Sequence, residues 1–408
     1  MTKYGKSPWV ERTPASRVPA YPRQRGKAEV DVAIVGGGLT GCATAYAFAA
    51  AGLNVVLLEA GRVGAGNTGS SLGWIADAPV ASIADLEMAI GLAPTKRACQ
   101  AWRRAALDFA ALLRRLDIPC QLQPQSSLLV ATTPEQTVAL ARERKSRQAA
   151  GLDAPLLNAR ALKSDTGLDG PGAIRQKDGT LIDPYRACLG LAAAAVERGA
   201  RIFEQSPATR VTFGRKHVDV ITKNGSIRAD QVIVATGAPT PLFRALIRHF
   251  WYHATYLALT EPIPAKIRQL LGGRAAVLRD LAAPSHIVRW VDDQRLLVSG
   301  ADTALPPERL RSKLAVQKTG QLMYELSTLY PDISGVMPAF GWGASYARTE
   351  DGLPYIGPHR NFPRHLFAFG DSSRSVTGAY LASRVLLRQY LEEPEPNDAP
   401  FEFARHGR

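Results

Sequence analysis

The chain has 408 residues, 46% hydrophobic and 21% charged, a length that accommodates two domains with sizeable cores and a balance usual for a soluble globular protein. Lys and Arg number 50 against 36 Asp and Glu, a net charge of +14, but the basic residues are scattered in helical stretches such as AWRRAALDFAALLRRL, so a solvated basic surface is favoured over a nucleic-acid face. Cys42, Cys99, Cys120 and Cys188 are too few and too widely spaced for a disulfide framework or a zinc site, and they fit a reducing compartment.

Residues 1–29 are basic and proline-bearing without the apolar core of a signal peptide, which predicts an arm lying over the first domain of a cytoplasmic protein. Residues 30–59, VDVAIVGGGLTGCATAYAFAAAGLNVVLLE, spell a strand, a glycine turn, a helix of small and apolar residues, and a second strand. Gly36, Gly38 and Gly41 keep the spacing G-x-G-x-x-G. The first lets the chain turn, the second lets backbone approach a pyrophosphate, and the third lets helix and strand pack closely. The diphosphate then sits on the helix N-terminus. Glu59 closes the second strand, where a carboxylate accepts hydrogen bonds from ribose hydroxyls. A membrane span competes, because the uncharged residues 32–58 exceed the ~20 that cross a bilayer. Three consecutive glycines and Asn54 inside the run oppose it. An ADP-containing cofactor follows, with NAD and FAD both open.

The loop AGRVGAGNTGSSLGWI follows, its small and hydroxyl residues suited to track an extended ligand. Residues 84–116 read as helical, 126–132 as a strand, and PEQTVALARERKSRQAAG as a helix with Pro134 near its first turn. LIDPYRACLGLAAAAVERGARIFEQSPATRVTF predicts a turn, a long helix and two strands, and QVIVATGA a buried strand ending in a glycine turn. Between 250 and 300 alternating strands predict a largely antiparallel sheet. A helix near 307–329, then a strand, a small-residue turn and a helix complete the chain. The expected class is α/β, α+β overall: a Rossmann-like cofactor domain built from 30–83, 160–242 and 340–408, with a substrate domain from 84–159 and 243–339.

Four stretches carry a resemblance: the βαβ unit, DGTLIDPYRACLGLAAAAVERGARIFE, QVIVATGA, and TEDGLPYIGPHRNFPRHLFAFGDSSRSVTGAYLASRVL. In order and spacing the chain resembles FAD-dependent oxidoreductases of the D-amino-acid oxidase type, nearest the glycine oxidase, sarcosine oxidase and glutamylputrescine oxidase branch. The resemblance implies FAD in a two-dinucleotide-domain flavoprotein fold. It places Gly36, Gly38 and Gly41 on the pyrophosphate, Glu59 on the adenosine ribose, Ser70 and Ser71 along the ribityl chain and flavin edge, and the Val211 backbone at the adenine. It assigns Gly237 and the turn containing Gly370, Asp371 and Arg374 to the cofactor, with Asp371 on a ribityl hydroxyl and the following helix N-terminus aimed at the flavin pyrimidine, where reduction places negative charge. The residue types used for covalent flavin links in relatives are missing from the matching positions, which implies non-covalent FAD.

The implied reaction is oxidation of a primary or secondary amine or an amino acid: hydride passes to flavin N5, the imine hydrolyses, and oxygen or another acceptor takes the electrons. Where glycine oxidases place a carboxylate-binding arginine this chain has Tyr346, with Arg348 two residues on and on the same face of an extended strand. Tyr346, Arg348 and Tyr256 are the candidate substrate-positioning residues, Trp74 a candidate wall, and His253 a lesser candidate base. Arg348 is expected to face solvent while Tyr346 lines an amine pocket. The alternatives are 2-hydroxy-acid dehydrogenation, an RNA-modifying flavoprotein domain and a flavin-bearing protein without turnover. No metal site and no transmembrane segment is expected.

Overall fold

The computed structural model describes residues 1–272, 276–370 and 374–406. Its first sheet has eight strands. The parallel part runs Arg201–Phe203, Val55–Leu58, Gly26–Val35, Gly225–Gly237, Phe362–Phe369. Val32, Ala33 and Ile34 are wholly buried, as a parallel strand covered on both faces requires. The 13-residue strand Gly225–Gly237 pairs with Gly26–Val35 on one edge and serves two neighbours on the other: its first half pairs antiparallel with Val218–Ile221, its second half parallel with Phe362–Phe369.

Helix Leu39–Ala50 is built almost entirely of small and apolar residues and packs against helices Pro184–Glu197 and Thr377–Tyr390. Close approach is what the glycine spacing provides. Gly36 has φ +111°, and a Cβ on it would lie 2.5 Å from the Ala235 carbonyl oxygen; a Cβ on Gly41 would lie 1.8 Å from the Gly36 carbonyl oxygen.

The second sheet has nine strands, in the order Lys3–Tyr4, Pro338–Arg348, Trp251–Thr260, Arg295–Ala304, Ile287–Val291, Ala276–Asp280, Ser126–Ala131, Gly172–Gln176, Leu156–Asn158. It is antiparallel except at Lys3–Tyr4 with Pro338–Arg348 and at Ala276–Asp280 with Ser126–Ala131. Helix Glu308–Leu329 covers one face through Leu322 and Leu326, which pack with Tyr256, Leu296 and Val298. The opposite face, with Leu257, Leu297, Phe340 and Trp342, shares one core with the helices of the first sheet. The two layers therefore meet over a continuous apolar interface.

The mixed class with a largely antiparallel second sheet is as expected. Three segments sit differently from the expected division. Strands Gly172–Gln176 and Pro338–Arg348 belong to the second sheet, and the first sheet begins at Gly26. Pairing across large sequence separations decides sheet membership, and composition along the chain does not report it. The N-terminal arm also does more than cover one domain. Lys3 and Tyr4 extend the second sheet, while Trp9 Nε1 donates to the Ser71 carbonyl 3.0 Å away, beside the glycine turn. No helix among the described residues is long and apolar enough to cross a membrane.

Gly41→Ala should cost about 1–3 kcal/mol, because the new methyl meets backbone that cannot yield. Gly320→Ala, in the exposed interior of helix Glu308–Leu329 with nothing within 4 Å of the added carbon, should gain roughly 0.5–1 kcal/mol. Denaturant unfolding of both variants checks the opposite signs.

Candidate cofactor and substrate site

A cleft of about 560 Å³ opens where the parallel strands end. At one end it is walled by Glu59 and Pro207–Thr209, in the middle by Gly36, Gly38, Thr68 and Ser71, and at the other end by Gly237, Tyr346 and the start of helix Thr377–Tyr390. Gly38 caps helix Leu39–Ala50 with no side chain of its own; Thr68 Oγ1 accepts from Leu39 N at 2.9 Å instead. The first turn of this helix thus presents backbone N–H groups to the cleft, as anion binding requires. Glu59 accepts from Gly37 N (2.6 Å) and Gly61 N (2.7 Å), which fixes its carboxylate at the strand end with lone pairs left for hydroxyl donors. This elongated space, with a carboxylate at one end and helix N-termini along it, fits a dinucleotide.

A second pocket, about 660 Å³, lies against the first. Tyr346 and Ala347 line both. Tyr346 Oη donates to Asp302 Oδ2 at 2.8 Å, and Arg374 Nη2 donates to the same oxygen at 2.6 Å; Arg374 Nη1 reaches Ser285 Oγ at 2.6 Å. Asp302 Oδ1 is buried and has no hydrogen-bond partner among the described residues. Burial and the Asp302 charge push the Tyr346 phenol above its ordinary range, so it remains a protonated donor. The Tyr346 ring also stacks on His253, its cross-strand partner, at 5.8 Å between centroids.

Three loops complete the second pocket. Residues 80–85 are held by Glu143, which accepts from Ser82 Oγ, Ile83 N and Ala84 N and pairs with the buried Arg147 at 2.8 Å. Residues 281–285 are bracketed by Asp280 and His286. His286 Nδ1 lies 2.6 Å from Asp280 Oδ2, its Nε2 lies 3.0 Å from Glu325 Oε2, and its backbone N donates to Asp280 Oδ1. Residues 349–352, the T-x-D-G motif, are fixed by Asp351. Burial works against that carboxylate, but Arg405 donates to both its oxygens (2.6 and 2.8 Å) and holds it below its ordinary range. Arg279 also lines the pocket. Its Nη1 donates to the Val80 carbonyl, and among the described residues it forms no ion pair; burial and neighbouring Arg147 lower its pKa to about 10.

The family described as DAO, FAD dependent oxidoreductase, matches residues 31–389. This chain belongs to that family. Gamma-glutamylputrescine oxidoreductase of Escherichia coli (strain K12) is 26% identical, over 90% of this chain and 85% of that protein. Glycine oxidase of Bacillus subtilis (strain 168) is 23% identical, over 90% of this chain and 96% of that protein. Among solved structures, glycine oxidase from Geobacillus kaustophilus superposes with a TM-score of 0.74 at 20% identity, covering 93% of this chain and 99% of that one. The protein is an FAD-dependent oxidoreductase, which closes the choice between NAD and FAD.

Against this geometry the expected residues divide. In the FAD-dependent oxidoreductase Gly36, Gly38, Glu59, Ser71 and Gly237 line the cleft, and Gly41 stands behind it as a packing residue. Ser70 does not line it; its carbonyl accepts from Trp342 Nε1 at 3.0 Å and ties the loop to the second sheet. Val211 lies outside it, in strand Arg210–Phe213, because the preceding loop with Ala208 is what turns toward Glu59. Gly370 and Arg374 line the second pocket rather than the cleft, Arg374 being drawn there by Asp302. Asp371 lies outside the described residues.

Tyr346, Arg348 and His253 line the second pocket, Arg348 exposed at its rim without an ion pair among the described residues. Tyr256 does not reach it. An odd number of positions from His253, it points to the other face of its strand and is buried under helix Glu308–Leu329. Trp74 is buried in the short sheet where it pairs with Leu181 and lines neither space. Thr68, Asp302 and Arg279 were not foreseen. The hydroxyls of GNTGSS signalled Thr68, while isolated charges in apolar strands were the only trace of the other two.

The His286 bracket sets a pH dependence. Hydrogen bonding to Asp280, then charge attraction from Asp280 and Glu325, outweighs burial and raises the imidazole pKa on folding. The stabilisation is complete below the unfolded pKa of about 6.5 and is lost as pH rises through the folded value. Thermal midpoints should therefore fall as pH climbs from 6.5 into the alkaline range. His286→Gln should flatten that slope; an unchanged slope would remove His286 as its source.

Proposed function

We propose that this FAD-dependent oxidoreductase oxidises the C–N bond of an amino acid, or of an amine that also carries a carboxylate, bound in the second pocket. One observation carries the reading: a hydrogen-bond acceptor beside the cleft, the Tyr346 oxygen, and a guanidinium that forms no ion pair among the described residues, that of Arg279, line the same pocket. Because the Tyr346 hydroxyl donates its hydrogen bond to Asp302, the lone pairs of its oxygen remain to accept N–H from a substrate. Arg279 feels the charges of Glu143 and Asp280 but forms no ion pair among the described residues, and its guanidinium suits a substrate carboxylate. A hydroxyl offers one proton where an amine offers two or three, so a Tyr346 oxygen left only to accept favours the amine over a 2-hydroxy acid. The amine and amino-acid substrates in the names of similar proteins agree with this.

FAD would be held by the backbone at Gly38 and Thr40, by Glu59 on the ribose, and by Thr68, Ser71 and Gly237 along the cleft; when bound it accepts the hydride released from the carbon next to nitrogen. The chain's own part is to orient and desolvate. Tyr346 forms the shared wall and grips the nitrogen, Asp302 fixes the rotation of the Tyr346 hydroxyl, Arg374 neutralises Asp302, and Ser285 fixes Arg374. The flavin is held without a covalent bond, since no cysteine or histidine lines the cleft among the described residues. Acid precipitation should leave FAD in the supernatant and a colourless pellet; a pellet that stays yellow after washing contradicts this.

Steady-state kinetics separate the guanidinium groups. Arg279→Lys should raise KM for an amino acid roughly 10- to 100-fold, the loss of a charge-assisted pair, and barely affect a carboxylate-free amine. Arg348→Lys should leave both substrates alone. A carboxylate-specific loss in Arg348→Lys with Arg279→Lys silent would move the anchor to the rim.

A further inference from the structure

A third cavity, about 420 Å³, lies apart from the cleft and the pocket. It forms where the end of segment Pro241–His249, the turn between Tyr355–His359 and Phe362–Phe369, and the stretch after Ala399–Phe401 converge. Arg248, His249, His359, Arg360 and Phe403 line it, and among the described residues no carboxylate does so. The Arg248 and Arg360 side chains are exposed and make no ion pair or hydrogen bond among the described residues. Other arginines on this sheet are compensated: Arg228 pairs with Asp219 at 3.0 Å, and Arg364 donates to the carbonyls of Arg215 and Asp230.

The floor is aromatic and fixed. Phe403 stacks on Tyr355 at 4.8 Å and 11°, and His359 and His249 meet the Phe403 ring edge to face at 5.2 and 6.2 Å. The positive field is visible in His359 itself. Burial, then the charges of His249, Arg360 and Arg248, hold its imidazole below the ordinary range. An entering anion would relieve that repulsion, and a flat ring beside the phosphate would find Phe403 and the guanidinium planes to lie against. The volume falls within that of small-molecule sites.

We infer that this cavity is a second ligand site and binds a nucleoside monophosphate, its phosphate between Arg248 and Arg360. The site is independent of the amine reading and of the FAD cleft. It accounts for a part of the net charge of +14 that the oxidoreductase reaction does not use.

The test uses the FAD-saturated enzyme, so that the ADP-recognising cleft is filled, and calorimetric titration with AMP, adenosine and inorganic phosphate. AMP should bind, adenosine should not, and phosphate should bind more weakly than AMP. The double variant Arg248→Gln, Arg360→Gln should weaken AMP at least about 10-fold, as loss of charge-assisted contacts implies, with thermal midpoint, FAD content and turnover unchanged. Both side chains are exposed, so the variant leaves no cavity in the core. No heat from AMP at millimolar concentration, or wild-type affinity in the double variant, overturns the site. Phosphate as tight as AMP overturns the nucleoside component.

Discussion

Asp302 Oδ2 receives two donors from segments far apart in the chain, the Tyr346 hydroxyl and the Arg374 guanidinium. That single oxygen joins strand Arg295–Ala304, strand Pro338–Arg348 and the turn before helix Thr377–Tyr390. The same turn leads into the helix start that walls the FAD cleft. The relation between the cleft and the second pocket therefore rests on one half-buried carboxylate. Its geometry sets which way the Tyr346 hydroxyl points, and hence whether the shared wall offers a proton or a lone pair.

The loops around the pocket follow the same logic. Each is fastened by a carboxylate: Glu143, some sixty positions away, for residues 80–85, Asp280 across the loop to His286 and on to Glu325 for 281–285, and Asp351 with the distant Arg405 for the T-x-D-G motif. Buried ion pairs of this kind add little net stability, since desolvation consumes most of the attraction, but removing one partner strands a charge. Their value here is positional. They hold irregular backbone around a polar cavity that apolar packing alone would close. Asp351 illustrates the distinction, because a motif aspartate beside a flavin site serves the C-terminal segment.

Much of the first sheet was legible because its signals are local. The period-2 runs and the spacing of Gly36, Gly38 and Gly41 describe a βαβ unit that closes within thirty or so positions, although Gly36 and the first helix also pack against segments far along the chain. Glu59 ends the second strand of that unit, so its place at the cleft could be read from the same local pattern. What escaped was long-range. Strand Pro338–Arg348 carries an alternating pattern but nothing that names its neighbours, so its sheet was misassigned. Tyr256 and Tyr346 look alike in the sequence, and only the register of their strands puts one under a helix and the other in the pocket. Val211 failed by a short distance, since the loop rather than the strand reaches the cleft. Asp302 and Arg279 had no motif at all; they matter because three separate elements converge on them.

In the proposed reading the cofactor cleft and the substrate pocket meet at Tyr346, with the nitrogen held there and the carboxylate on Arg279. A crystal structure of the FAD-loaded enzyme with a bound, non-reacting amino-acid analogue would show whether they do. The analogue's nitrogen should lie within hydrogen-bond distance of Tyr346 Oη and its carboxylate on the Arg279 guanidinium. An analogue bound on the side of the flavin away from Tyr346, or seated only against the exposed Arg348, would contradict it.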